Sequence, residues 1–551
     1  VNESTCRIER HGDPDRNFYA FLILNYMKTF PLFNAERVDV LSFVKTIELK
    51  NLRPEKFRRI RSEHRDSQFI LINLLVLISF CYLLFPAVIF IVGFVRWEIA
   101  VVLIGMIGCV LNRLIREAIF VVNSKIHLKS MMAEWRTWRG HLAVLSLLAL
   151  GWLSFSSIGG IGYRNFDSGI RSSLLWHLVT GPWPLYFKAG YFGEEFGAAA
   201  DKAYVYYFAY YLPAAVVGKL LGWKAANVAL FVYSWLGASL ALMFVRLYVK
   251  QRGYLVTLIV FTGICLFGGM DYVCNWLLGF TTDRSEMWLS PLHYFSHTRN
   301  LFWAPQHCLP TWLIIGVILN QRQISPLLIR IFPLAAVSML LWSPLCLIGV
   351  APFLLIVLKY HWREWVRWGW ENVLASFLFV LLSAFIISND FSFGMIYAPH
   401  AIENYWMQYL LFVVVEFLLL SSLFAFSDTK MLKHDILIIA FVLLFIIPIL
   451  ILGRWNDWSI KLSIAPLFVL SIFVIKQIVW LVENRARQVY IPVMLFAACA
   501  LTPLEELIYS AKNYRISFER PPEIRDFGAS YIVWQQLGDP RSLFFQYLAR
   551  E

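Results

Sequence analysis

Charge is what this chain has least of. Lys, Arg, Asp and Glu supply 15% of its 551 residues, against roughly 25% in soluble domains. Strictly alternating apolar and polar stretches are also missing, which excludes a membrane β-barrel. The eight cysteines show no CxxC pair and no metal-ligand spacing, which excludes zinc-ribbon and thioredoxin-like chemistry. No internal repeat is visible, and that counts against an inverted-repeat transporter. The formal net charge is +13, but no nucleic-acid motif accompanies it. Basic residues gathered in cytoplasmic loops account for the excess, so a membrane is the expected partner and nucleic acid is not.

What the chain has in abundance is continuous apolar sequence, with 59% hydrophobic residues. Runs of roughly 17–25 apolar residues recur from residue 69 onward, each long enough to cross a ~30 Å hydrocarbon core as a helix. The fold class expected is all-α: a polytopic transmembrane helix bundle of about thirteen spans. Residues 1–67 form a polar head that shows no signal-peptide pattern. The head ends in Arg53, Lys56, Arg58, Arg59, Arg61 and Arg65, a cluster that belongs on the cytoplasmic side. Residues 68–140 read as an extra membrane hairpin, 69–95 and 99–122, and a basic loop with Lys125, Lys129, Arg136 and Arg139. Asn112, Arg113 and Arg116 interrupt its second arm.

Residues 141–506 hold the remaining spans, at 141–161, 224–247, 254–272, 307–321, 327–342, 344–361, 370–388, 405–426, 436–452, 460–482 and 489–506. The pair around Trp342-Ser343-Pro344 reads as two half-spanning helices meeting at a break. Charge bias puts the N-terminus inside and the tail, 507–551, outside as a small extracytoplasmic segment. The segment 204–221 (YVYYFAYYLPAAVVGKLL) is apolar enough to tempt a span assignment. Crossing there would deliver Arg246, Lys250 and Arg252 to the wrong side, and its tyrosines suit an interface. It reads as an interfacial juxtamembrane helix.

Two long loops then lie outside the membrane, 162–223 and 273–306. The first opens with Arg164-Asn165-Phe166-Asp167, directly after an apolar run. Asp167, Arg171, Leu174 and Leu175 share one helical face. Asp167 could cap that helix or serve as a general base; the two roles are not exclusive. Arg171, His177 and Glu194 follow in the same loop. The second loop offers Arg299 and His307, with Asp271 at its threshold after Gly268-Gly269. His293 and His297 are four apart, but no carboxylate completes a metal set, and no metal is expected. Cys274 and Cys308 flank this loop and could pair in an oxidising compartment. Arg454, in Gly453-Arg454-Trp455-Asn456-Asp457-Trp458, opens a third outer turn, and Lys461 follows about one helical turn into the next helix. An Arg fork suits phosphate, while pairing of Arg454 with Asp457 is the plainer alternative.

The order of these elements is a membrane helix, an outer loop opening on an acidic residue, an aromatic juxtamembrane segment ending in Gly, and a long helix returning to a basic loop. Over residues 141–253 that order resembles the amino-terminal module of GT-C glycosyltransferases. Those multipass enzymes transfer sugars from polyprenyl-phosphate donors to lipid or glycan acceptors. The resemblance implies that Asp167 acts as catalytic base or lies beside it, with no cofactor. Arg454 and Lys461 would then be placed to meet the donor phosphate. It also implies an envelope location, a bacterial plasma membrane. A transporter or flippase of lipid-linked glycan, or a polysaccharide polymerase, would share the multipass architecture.

Overall fold

A computed structural model of the protein describes residues 54–122, 125–192, 200–251, 253–279, 285–366, 369–390, 394–426, 434–484, 489–528 and 531–551. The chain divides into two units, Val1–Glu63 and His64–Glu551. Of the first unit only residues 54–63 are described, as helix, and the side chains of the basic cluster lie outside the described residues. Everything below concerns the second.

Its apolar runs become helices because hydrocarbon offers the backbone no hydrogen-bond partner of its own. In chain order these are α1 (Pro54–Phe94), α2 (Trp97–Val122), α3 (Lys125–Leu153), α4 (Phe166–Thr180), α5 (Leu212–Leu221) and α6 (Trp223–Val249). Then follow α7 (Tyr254–Cys265), α8 (Asp271–Leu278), α9 (His297–Trp303), α10 (Pro305–Asn320), α11 (Pro326–Trp342), α12 (Pro344–Val366) and α13 (Trp370–Ile387). The last are α14 (Tyr405–Ala425), α15 (Asp435–Ile449), α16 (Asp457–Leu462), α17 (Ile464–Glu483) and α18 (Tyr490–Lys512). Among the described residues, seven helices are long and apolar enough to cross a membrane: Phe69–Phe94 within α1, then α6, α12, α13, α14, α17 and α18. The protein is therefore an all-α integral membrane bundle. An 18-residue window of α17 is 89% buried and one of α18 only 28%, which puts α17 at the centre and α18 on the periphery. Every residue of α10 is buried, and α10 packs on α6, α12 and α17.

Four local expectations change. The basic loop after α2 is helical, and α3 runs without a break from Lys125 through the expected start of the third span. Its Lys, Met, Ala, Trp and Arg residues are compatible with helix. The expected span 254–272 stops at Cys265 and resumes as α8. Of the Gly268-Gly269 pair between them, Gly269 lies close to the Asp271 and Glu416 side chains, and Gly268 faces Pro503 and Ser296. The helices around Ser343 do not meet end to end. Ser343 is extended (φ −172°, ψ 98°), and α11 folds back antiparallel on α12: Arg330 pairs with Glu364 at 2.7 Å, and Trp365 Nε1 donates to the Ile329 carbonyl. The segment 204–221 is helical only in its second half. Tyr210 and Ser234 lie equally far from Gly222 in sequence, and their hydroxyls are 2.6 Å apart. Thus α5 runs antiparallel beside the first turns of α6, buried at Leu212, Pro213, Ala214, Ala215 and Gly218 and exposed at Leu220 and Leu221. Gly222 makes the reversal at φ 86°, a value that glycine tolerates best.

Residues 513–528 and 531–551 stitch the loops at one end of the bundle together. A three-stranded antiparallel sheet joins β1 (Tyr186–Phe187), β2 (Lys202–Tyr204) and Leu537–Gly538. Arg164 Nη2 donates to the Ser517 carbonyl at 2.6 Å, and the Arg96 and Arg550 amides bond to Leu548 and Phe94. The ends of α1, α3 and α13 and the start of α4 are thereby gathered into one cap.

Gly349 of α12 packs against the backbone of Leu462 in α16. A side chain there would put its Cβ 2.6 Å from the Leu462 carbonyl oxygen and 3.0 Å from Leu462 Cα. Gly349→Val is expected to cost about 1–3 kcal/mol by overpacking against backbone. Thermal unfolding in detergent checks this as a lowered midpoint.

Candidate functional site

The site is built on the first turn of α4. Its N-cap is Asn165, whose Oδ1 accepts from the Ser168 amide at 2.7 Å, so Asp167 is not the cap. Asp167 sits one position inside the helix, within the first turn, and is half-buried. Among the described residues no hydrogen bond or ion pair engages its carboxyl; only its backbone carbonyl is used, by Arg171 Nε at 3.2 Å. Burial pushes the carboxyl above the usual aspartate range. Arg171, Arg299 and Lys461 act against that, and the nearby Asp457 acts with it. A carboxylate held this way is a stronger base than a solvated one.

Facing it is α16. Its N-cap, Asn456, takes a left-handed conformation (φ 51°) and accepts from the Leu452 and Ser459 amides through one side-chain oxygen. Its amide nitrogen donates to the Pro291 carbonyl at 2.9 Å, which ties the turn to the second loop. This fixes Asp457 and Lys461 one turn apart, paired at 3.0 Å and largely shielded from solvent. Burial opposes the Lys461 charge; the Asp457 carboxylate and the Tyr207 phenol outweigh it, and the ammonium is held above the usual lysine range. Tyr206 and Tyr207 complete this wall. Lys461 Nζ lies 5.7 Å from the Tyr207 ring centre. Burial raises both phenols, so they remain hydrogen-bond donors at neutral pH.

The sequence candidates separate in space. Arg171 joins the site as a positioning residue, its Nη2 donating to the Phe302 carbonyl at 3.0 Å. A cavity of about 20 Å³ beside it, lined by Ser168, Tyr210 and Asn227 among others, has room for about one water. Arg299 is buried behind the site, stacked on Phe295 and Trp303 and 3.6 Å from Glu286. It feels Asp167 on one side and a set of buried carboxyls on the other. Asp271 belongs to that set and not to a substrate surface. It is fully buried, takes a hydrogen bond from Trp288 Nε1 at 2.9 Å, and interacts directly with Glu416. Burial pushes Glu286 up to about 8. Glu506 accepts from Trp303 Nε1 at 2.8 Å.

His307 is buried, its Nδ1 2.7 Å from Ser343 Oγ and its ring against Tyr207; it supports the tyrosine wall. His177 lies ten residues beyond Asp167, about 15 Å along the helix, and its Nε2 accepts from the Ile524 amide at 3.4 Å. It docks the tail. Arg454 is exposed, with its guanidinium 5.3 Å from the Trp455 ring centre, at the rim of the turn that carries Lys461. Glu194 lies outside the described residues. Cys274 and Cys308 are both free thiols, and Cys308 is buried in α10. His293 stacks on Phe295 and His297 bonds to Ser471. Among the described residues no group of three or more His, Cys, Asp or Glu could hold a metal ion.

No protein-family model, curated protein or solved structure matches the chain. The chemistry of the site therefore rests on its own geometry.

That geometry contains members the sequence reading did not assign to it. Tyr206 and Tyr207 were expected at a membrane interface, and Asp457 as a partner of Arg454. The i, i+4 spacing of Asp457 and Lys461 was the available signal for their pairing. Nothing local in the sequence brings Glu416, on α14, to Asp271 on α8.

Proposed function

We propose that the protein transfers a sugar from a polyprenyl-phosphate-linked donor to a lipid or glycan acceptor at the outer membrane face. Asp167 is the general base and Lys461 the partner of the donor phosphate. The observation that carries this reading is the pairing of an unengaged, half-buried carboxyl with a shielded ammonium in one field. The acceptor hydroxyl gives its proton to Asp167 as its oxygen bonds to the anomeric carbon. The bond from that carbon to the phosphate oxygen breaks, and its electron pair leaves on polyprenyl phosphate. Lys461 spends one N–H on Asp457 and keeps two for the departing phosphate oxygens. Tyr206 and Tyr207 supply further donors, and Arg454 stands at the rim where the phosphate enters.

This reading carries its wider setting with it. The bundle is GT-C-like, with about thirteen spans, the N-terminus in the cytoplasm and the tail outside. The membrane is a bacterial plasma membrane, and the product belongs to the cell surface. The resemblance of residues 141–253 to the GT-C module supports it, as do the excess basic residues on the intended cytoplasmic turns.

The test is reconstitution with a polyprenyl-phosphate sugar labelled in the sugar. Transfer releases polyprenyl phosphate and forms a new glycosidic bond. Translocation of intact donor without bond formation would instead favour a flippase, a reading for which buried Glu416 within α14 speaks. Because Asp167 must be deprotonated to accept a proton and burial raises it, kcat/KM is expected to fall on acidification through a value above the usual aspartate range. A pH–rate profile checks this, and an acid limb at or below that range contradicts it.

A further inference from the structure

At the end of the bundle away from Asp167 lies a cavity of about 470 Å³, within the size range of small-ligand sites. It opens where the last turns of α6 and α10 meet α12, α15 and α17. Lys250, Arg322 and Lys476 all line it. Among the described residues none of the three forms an ion pair. Arg322 lies over the Tyr360 ring at 5.0 Å and Lys476 over Tyr248 at 5.0 Å. Among the described residues the one lining carboxylate, Asp435, is already taken by Lys359 at 2.8 Å. Among the described residues the wall thus carries three cations against one carboxylate that is already paired.

Three cations on one cavity wall call for an anionic ligand.

We propose that this cavity binds a phosphate ester, its phosphate oxygens among Lys250, Arg322 and Lys476. An anionic glycerophospholipid headgroup and a soluble polyol phosphate share this chemistry. The site is remote from Asp167, and the proposal does not depend on the glycosyltransferase reading.

The experiment uses the full chain in nanodiscs and reads thermal unfolding, since a ligand that binds only the folded state raises the midpoint. In one arm, discs of phosphatidylcholine are compared with discs containing phosphatidylglycerol. In the other, glycerol 1-phosphate is titrated into phosphatidylcholine discs. Stabilisation in the first arm alone assigns a lipid; stabilisation in the second assigns a soluble phosphate. Arg322→Gln and Lys476→Gln should each weaken the effective arm about tenfold in concentration. Arg363→Gln, an exposed cation outside the cavity lining, should leave it unchanged. Arg322 is itself exposed, so its variant should fold even if that of Lys476 does not. No stabilisation in either arm, or equal loss with Arg363→Gln, overturns the proposal.

Discussion

Asp167→Asn is expected to lower sugar transfer by about 10²–10⁴-fold, with donor affinity and thermal stability nearly unchanged. The separation follows from the geometry. The helix cap belongs to Asn165, and the Asp167 carboxyl makes no hydrogen bond or ion pair among the described residues, so its loss breaks no such contact. Asn keeps the size and cannot take a proton. Steady-state kinetics should therefore show the loss in kcat and little change in KM. Asp167→Glu, which retains the base but displaces it, should recover part of the rate. Full activity in the Asn variant would remove Asp167 from the mechanism.

Lys461→Met should have the next largest effect, for two separable reasons. The ammonium proposed to meet the leaving phosphate is gone, which is expected to cost about 10²–10³-fold in rate. The variant also strands Asp457, whose side chain is 17% exposed. Removing one partner of a shielded pair costs about 3–5 kcal/mol. The double variant Lys461→Met with Asp457→Asn separates the two. It is expected to regain most of the folding stability, read by thermal unfolding, and none of the transfer. Recovery of transfer in the double variant would make Lys461 a structural cation only.

Much of the bundle could be read from the sequence because hydrocarbon leaves helices little choice. The apolar runs at 370–388 and 489–506 became α13 and α18 with small shifts at their ends. What failed were readings that depended on partners far along the chain. Arg246 read as a cation that the 224–247 span delivers to the cytoplasmic side; it is fully buried, with its guanidinium 4.9 Å from the Trp138 ring centre and Nε donating to Thr257 Oγ1. Arg113 seemed to spoil a span, and it pairs at 2.9 Å with Glu371 on α13. The interfacial segment 204–221 was judged by its tyrosines. Tyr210 instead finds Ser234 on α6, and Tyr207 packs against His307 on α10. In the candidate site, Asp167 and Lys461 were nominated separately, on charge and position. Their approach depends on α16 being held against α12 at Gly349, and a one-dimensional pattern does not record that contact.

The most direct test of the account is a structure of the protein with a polyprenyl-phosphate sugar bound. The phosphate should lie against the Lys461 ammonium at charge-assisted hydrogen-bond distance, about 2.7–2.9 Å. The anomeric carbon should be turned towards Asp167, with room between them for an acceptor hydroxyl. Donor density elsewhere on the bundle, with Asp167 and Lys461 untouched, would contradict it.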